Sequence, residues 1–217
     1  SSRATTLNPA LYQTKLFLYN WVVKSAARRA KKIIAVSQFT KNDIVRFLKI
    51  QPEKISVVYE GVDLPKASAD CQLVLDKLKI SDDFILYVGS AYPHKNLEKL
   101  IEAFQSIKKD FSQLQLVLAG RNNFFYKRLQ DWAKDKQWET NLVFTDYLSD
   151  QELVCLYQKA KLYVFPSLIE GFGLPPLEAQ TYDLPVISSK ASCLPEVLGK
   201  SAIYFDPEDS SEMAEKI

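Results

Sequence analysis

Short, unbroken apolar runs alternate with stretches of helical period along most of the chain. The runs Ile33–Val36, Ile55–Tyr59, Phe84–Val88, Leu116–Ala119, Leu142–Phe144, Leu162–Phe165, Pro185–Ser188 and Ala202–Phe205 are rich in β-branched and aromatic residues and too short for helices, so they predict strands. Between them the apolar positions follow a helical repeat over about 8–30, 38–49, 68–79, 97–109, 123–137, 150–160 and 176–182. Ser149-x-x-Glu152, ahead of Leu153, Leu156 and Tyr157, is a capping box that opens one of these helices. Strands that are apolar throughout, rather than alternating, are buried on both faces, and regular strand–helix alternation gives a parallel sheet. The predicted class is α/β, a Rossmann-like parallel sheet flanked by helices.

With 217 residues, 47% of them hydrophobic, the chain can bury one full core and part of another. Twelve Phe, eleven Tyr and three Trp exclude a disordered segment as the bulk of the molecule. No apolar run approaches the roughly 20 residues that cross a bilayer. Ser1–Thr6 has no hydrophobic signal core, so a cytoplasmic location is expected. Cys71, Cys155 and Cys193 are odd in number and lack metal-ligand spacing, which predicts reduced, structural thiols.

The net charge of +2 hides an asymmetry: residues 1–60 hold 11 Lys/Arg against 3 Asp/Glu, net +8, and residues 61–217 hold 17 against 23, net −6. Leu16–Val23, followed by Lys24, Arg28, Arg29, Lys31 and Lys32, admits two readings. It suits a helix packed on its own domain with a solvated basic end, and also a peripheral contact of residues 15–32 with an anionic membrane surface. The first is preferred, because a core helix needs the same apolar stripe. The basic cluster joins no nucleic-acid recognition motif, so no nucleic-acid partner is expected.

Candidate chemistry concentrates in Pro166-Ser167-Leu168-Ile169-Glu170-Gly171-Phe172-Gly173-Leu174-Pro175-Pro176-Leu177-Glu178. A predicted strand ends, a glycine loop follows, and Pro175-Pro176 suits the first turn of a helix, where a missing N–H costs nothing. Glu178 is expected in that first turn. Gly171 and Gly173 allow the backbone to approach a ligand closely, so amides at a helix start can meet hydroxyls or phosphate oxygens. A second loop, Gly89-Ser90-Ala91-Tyr92-Pro93-His94-Lys95-Asn96, also follows a predicted strand and precedes a helix, and Lys95 places a cation there.

The first segment closely resembles the Glu-x7-Glu motif of retaining nucleotide-sugar glycosyltransferases of family 4, including the Gly-Phe-Gly-Leu-Pro core between the acids. Gly89, followed six residues later by Lys95, is similar to that family's phosphate loop. The resemblance covers about residues 30–217. It implies the C-terminal lobe of a GT-B fold with a remnant of the N-terminal lobe: residues 1–63 the end of the acceptor-side lobe, residues 64–217 the nucleotide-sugar-binding lobe. Val58–Pro65 resembles the inter-lobe join, with Tyr59-Glu60 in place of the usual Pro-Asn. The chain is expected to be part of a longer protein.

The resemblance also implies roles. Lys95 and Glu170 would be the catalytic residues, Lys95 on the diphosphate and Glu170 on the transferred sugar. Glu178 would take the ribose hydroxyls, and the backbone of Gly89, Ser90, Phe172, Gly173 and Leu174 would line the donor. Tyr147 and Leu148 would lie against the base through their main chain. No Asp-x-Asp triplet occurs in the sequence, so the expectation is a metal-independent hexosyltransferase without cofactors, using a GDP- or UDP-linked donor and a glycan or lipid-linked acceptor. Mannose and polysaccharide or lipopolysaccharide assembly are slightly favoured. Where the family supplies an Arg after its loop glycine, this chain has Ser90 and Ala91. That substitution supports the alternative of a non-catalytic nucleotide-sugar-binding module or subunit. His94, the sole histidine, is a candidate general base only if it reaches the acceptor hydroxyl, which is not the preferred reading; Arg121 could supply charge from a neighbouring loop, with a surface role preferred. The absence of Gly-x-Gly-x-x-Gly argues against a nicotinamide dehydrogenase.

Overall fold

The computed structural model describes residues 8–62 and 70–217. The inter-lobe boundary expected near 63–67 and the predicted helical residues 68 and 69 lie outside the described residues. The chain divides into two compact units, Ser1–Glu60 and Gly61–Ile217.

In the first unit, α1 (Pro9–Arg29) is followed by β1 (Ile33–Ala35), α2 (Gln38–Asp43, continuing as one π turn over Ile44–Leu48) and β2 (Ile55–Val57). β1 and β2 pair in parallel, Ile33 opposite Ile55, around a small core of Ala35, Ile50 and Ile55. Ser37 caps α2 by accepting from the Thr40 N–H. Lys54 Nζ closes the other end of α1 by donating to the carbonyls of Ala27 and Arg28.

The α1 side chains depart from the preferred expectation. Leu16, Phe17, Leu18, Tyr19, Trp21 and Val22 are exposed, Phe17 to 70% and Trp21 to 64%, and among the described residues of this helix Ala27 alone packs on that core. Positions 16–19 are consecutive and fall on all sides of a helix, so no single stripe exists for a core to receive.

In the second unit, six strands form one parallel sheet in the order β5-β4-β3-β6-β7-β8. They are β3 (Phe84–Val88), β4 (Gln115–Ala119), β5 (Leu142–Phe144), β6 (Leu162–Phe165), β7 (Val186–Ser189) and β8 (Ile203–Phe205). The helices are α3 (Cys71–Leu78), α4 (Leu97–Ile107), α5 (Phe124–Asp135), α6 (Asp150–Lys159), α7 (Leu174–Thr181), α8 (Leu194–Leu198) and α9 (Ser210–Lys216). Phe84 to Tyr87, Leu116 to Ala119 and Tyr163 to Phe165 are all buried, as expected of strands covered on both faces. The capping box at Ser149 and Glu152 opens α6.

Strand order reverses between β3 and β6, which pair Ile85 with Leu162 and Leu86 with Tyr163. In open α/β sheets this switch point leaves a crevice beyond the strands' carboxyl ends, because the loops on either side diverge.

The cysteines correct the sequence reading. Cys71 and Cys155 form a disulfide that links the start of α3 to α6 across a sequence separation of 84; Cys193 is free and buried. The two helices pack together, and the ion pair of Lys77 with Glu152 at 2.6 Å ties them again. Sequence spacing carries no trace of that contact. Among the described residues, no helix is long and apolar enough to cross a membrane.

Candidate functional site

The loops leaving β3 and β6 meet at the switch point. After β3 the chain is drawn tight by tyrosine hydroxyls: Tyr163 donates to the Val88 carbonyl, Tyr126 to that of Gly89 and Tyr87 to that of Ser90. Gly89 has φ 151°, and a Cβ there would lie 2.7 Å from the Tyr87 hydroxyl. The loop then turns through a 3₁₀ segment, Pro93–Lys95, into Asn96, whose left-handed backbone (φ 61°) caps α4. Asn tolerates that conformation better than most side chains. Its amide also donates to the carbonyls of Pro166 and Pro207.

The β6 loop is docked on this turn. Leu168 N–H donates to the His94 carbonyl, and Lys95 Nζ lies 2.5 Å from Glu170 Oε1 in an ion pair whose side chains are only 16% and 13% exposed. Lys95 also sits over the Phe165 ring at 5.5 Å. An ammonium has three donors, so engaging Glu170 leaves others for a ligand oxygen.

Glu170 is held from behind by the loop after β7. Ser192 Oγ accepts from the Glu170 N–H at 2.9 Å, and Cys193 Sγ donates to the carbonyls of Glu170 and Phe172, each at 3.2 Å. Burial pushes the Cys193 thiol up to about 11, so it remains a protonated donor. Sequence reasoning missed both residues, because they lie more than twenty positions downstream in a stretch without a motif.

Gly173, at φ 98°, ends the loop and caps α7, and a Cβ there would meet Leu194 Cδ2 at 2.8 Å. Because Gly173 takes the cap, α7 starts at Leu174 and carries no acidic residue in its first turn. Glu178 therefore stands in the second turn, not the first as the sequence implied. Its Oε2 accepts from the Tyr157 hydroxyl at 2.7 Å.

A third loop pair lies beside this centre. Asp146 accepts from the N–H groups of Asn122 and Tyr147, joining the loop after β4 to the loop after β5. These two hydrogen bonds and the Arg121 charge hold its carboxyl below the usual range. Val88, Ala119, Gly120, Arg121, Asp146, Tyr147, Leu148 and Leu153 line a pocket of about 140 Å³. Tyr147 is 76% exposed, and Leu148 is partly buried against the core.

The structure thus brings Lys95, Glu170, Gly89, Ser90, Phe172, Gly173 and Leu174 to adjoining loops, while Tyr147 and Leu148 line the neighbouring pocket. Ala91 is buried, and neither it nor Ser90 offers a charge. His94 joins the loops through its main chain; its ring stacks on Tyr92 at 5.9 Å. Burial first, then Lys95, lowers its pKa, with Glu170 opposing. Among the described residues, no group of three or more His, Cys, Asp or Glu could hold a metal ion.

The model for glycosyl transferases group 1 matches residues 76–217, and that for Glycosyltransferase Family 4 matches residues 5–66. O-antigen chain mannosyltransferase B from Escherichia coli is 31% identical over 193 residues, covering 83% of this chain and 49% of that protein. O-antigen chain mannosyltransferase RfbU from Salmonella typhimurium is 32% identical over 191 residues, covering 88% and 51%. The chain spans about half the length of these curated relatives. Among solved structures, Anabaena HepE in complex with UDP and glucose superimposes with a TM-score of 0.76 at 23% identity, over 88% of this chain and 53% of that one. Sucrose-phosphate synthase from Thermosynechococcus elongatus gives 0.75 at 22%, over 91% and 50%. These neighbours share the GT-B fold. By a family model that covers well over half of it, this chain belongs to the glycosyl transferases group 1 family.

Proposed function

We propose that the second unit binds the donor of a retaining hexosyltransferase that moves a sugar from a nucleoside diphosphate to a glycan or lipid-linked acceptor. The observation that carries this reading is the Lys95–Glu170 pair at the switch point, with Glu178 beyond the same loop. Lys95, with amides at the start of α4, neutralises charge as the diphosphate leaves, in the role other transferases give to a metal clamp. Glu170 and the backbone of Phe172, Gly173 and Leu174 contact the transferred hexose, whose transition state has oxocarbenium character. Glu178 accepts from the ribose hydroxyls, and the pocket at Tyr147 and Leu148 receives the base. No metal or other cofactor takes part.

The mannosyltransferase relatives in bacterial O-antigen synthesis support mannose and a GDP-linked donor; the UDP complex of HepE supports a uridine donor. Lipopolysaccharide or other polysaccharide assembly is the proposed setting. The test is sugar transfer by the full-length protein: native protein transfers with retention and Glu170→Ala loses most of that activity. Ser90 and Ala91, in place of the expected Arg, favour a second reading, a non-catalytic binding module. Donor binding without any transfer by the native protein would establish that reading instead.

A peripheral contact of residues 15–32 with an anionic cytoplasmic membrane face is also proposed, supported by the exposed Phe17, Tyr19 and Trp21 beside Lys24, Arg28 and Arg29. It predicts sedimentation with anionic vesicles and not with neutral ones; equal binding to both would contradict the electrostatic part.

A further inference from the structure

Tyr157 in α6 is 21 residues from Glu178 in sequence and hydrogen-bonded to it in space. We propose that Tyr157 is a positioning residue of the donor site, its hydroxyl fixing one oxygen of Glu178 so that the other faces the ribose diol. This inference rests on the role given above to Glu178.

The geometry restricts Tyr157 far more than its bond requires. Its ring is 2% exposed and lies against Tyr182, stacked at 5.7 Å, and against Tyr163, tilted at 5.9 Å. The hydroxyl therefore cannot follow a wandering carboxylate; the carboxylate must come to it. Burial, then the nearby Glu178 charge, keeps the phenol far above its ordinary range, so it acts as a donor at any working pH. The helix beneath it is fixed by the Ser149–Glu152 capping box, by the disulfide at Cys155 and by the Lys77–Glu152 pair.

A glutamate has three rotatable side-chain bonds, and in the second turn of α7 no cap holds Glu178. Committing Oε2 to Tyr157 removes much of that freedom before the ligand arrives. It also leaves Oε1 to accept from a ligand hydroxyl, since a carboxylate has acceptor capacity at both oxygens. Selectivity follows: a ligand with the diol gains from the preset carboxylate and a ligand without it does not.

The experiment is titration calorimetry of this chain with GDP and 2′,3′-dideoxy-GDP, and with the corresponding uridine pair, on the native sequence, Glu178→Ala and Tyr157→Phe. Tyr157→Phe keeps the ring and its stacking, and its melting temperature is measured alongside. The expected result is a native preference for the ribonucleotide that disappears in Glu178→Ala. In Tyr157→Phe, affinity for the ribonucleotide falls about tenfold while that for the dideoxy form changes less than about twofold. A preference lost in Glu178→Ala but intact in Tyr157→Phe overturns the positioning role and leaves Glu178 on the ribose. Equal losses for both nucleotides in Tyr157→Phe mean a structural role only, which also overturns it. No native preference, or no binding, overturns the reading of Glu178 and this inference together.

Discussion

Glu170 and Glu178 bracket one glycine loop, yet they are supported in opposite ways. Glu170 sits on the loop itself, with its side chain against the Lys95 cation and its backbone gripped by Ser192 and Cys193. Glu178 sits on a helix and accepts from a neutral hydroxyl, that of Tyr157. A carboxylate paired with a cation is suited to a place where charge moves during reaction. One paired with a phenol keeps its charge to accept ligand hydroxyls. Two chemically identical residues thereby stand in different surroundings, Glu170 against Lys95 and the loop after β7, Glu178 against α6.

The largest effect should separate the two by kinetics. In the full-length protein, Glu170→Ala is expected to lower kcat by roughly 10²–10³-fold with little change in nucleotide affinity, as for removal of a group acting mainly in the transition state. Glu178→Ala should instead weaken nucleotide binding about tenfold or more, as for lost hydrogen bonds to a charged acceptor. Identical profiles for the two variants would erase the distinction.

Next comes α6, which supports only the Glu178 side. Reducing the Cys71–Cys155 disulfide should destabilise the second unit by about 2–4 kcal/mol, measured by denaturant unfolding with and without reductant. Cys155→Ala should make the midpoint insensitive to reductant. The loop between the acids is more local: Gly173→Ala puts a Cβ against Leu194 at a positive φ, which should cost about 1–3 kcal/mol and lower the melting temperature.

The smallest effect is a pH dependence. Glu152 is lowered to about 2, chiefly by its hydrogen bond with Lys77 and then by those with Ser149. A carboxyl depressed in the folded state stabilises above its unfolded pKa and loses that contribution as pH falls through the folded value. Stability should therefore decline from about pH 4.5 towards 2, and Glu152→Gln should flatten that slope.

Much of this comparison was legible in the sequence and its supports were not. The strands around Phe84–Val88 and Leu162–Phe165 announced themselves because burial on both faces leaves unbroken apolar runs, and the two glutamates because a glycine loop and a double proline frame them. The helix α8 has five residues, too few to show a period. The last helix, Ser210–Lys216, is short and mostly polar, so it too shows no apolar period. Tyr157, Ser192, Cys193 and the disulfide partners are tertiary: each acts across 21 or more residues on another element, and nothing local marks it. Glu178 was placed one turn early because the left-handed Gly173, not a proline, sets the start of α7. In α1 the same apolar residues suit a packed helix and a surface one, and Leu16–Tyr19, Trp21 and Val22 are exposed.

The most direct test of the donor site is the thermal shift of this chain with GDP, UDP, ADP and dTDP, repeated on Glu178→Ala and Lys95→Ala. Ligand at 100 times its Kd should stabilise the protein by about 2.7 kcal/mol. The account predicts a shift selective for one base that is lost in Glu178→Ala and reduced in Lys95→Ala. A shift with none of the four, or one of full size in both variants, would contradict it.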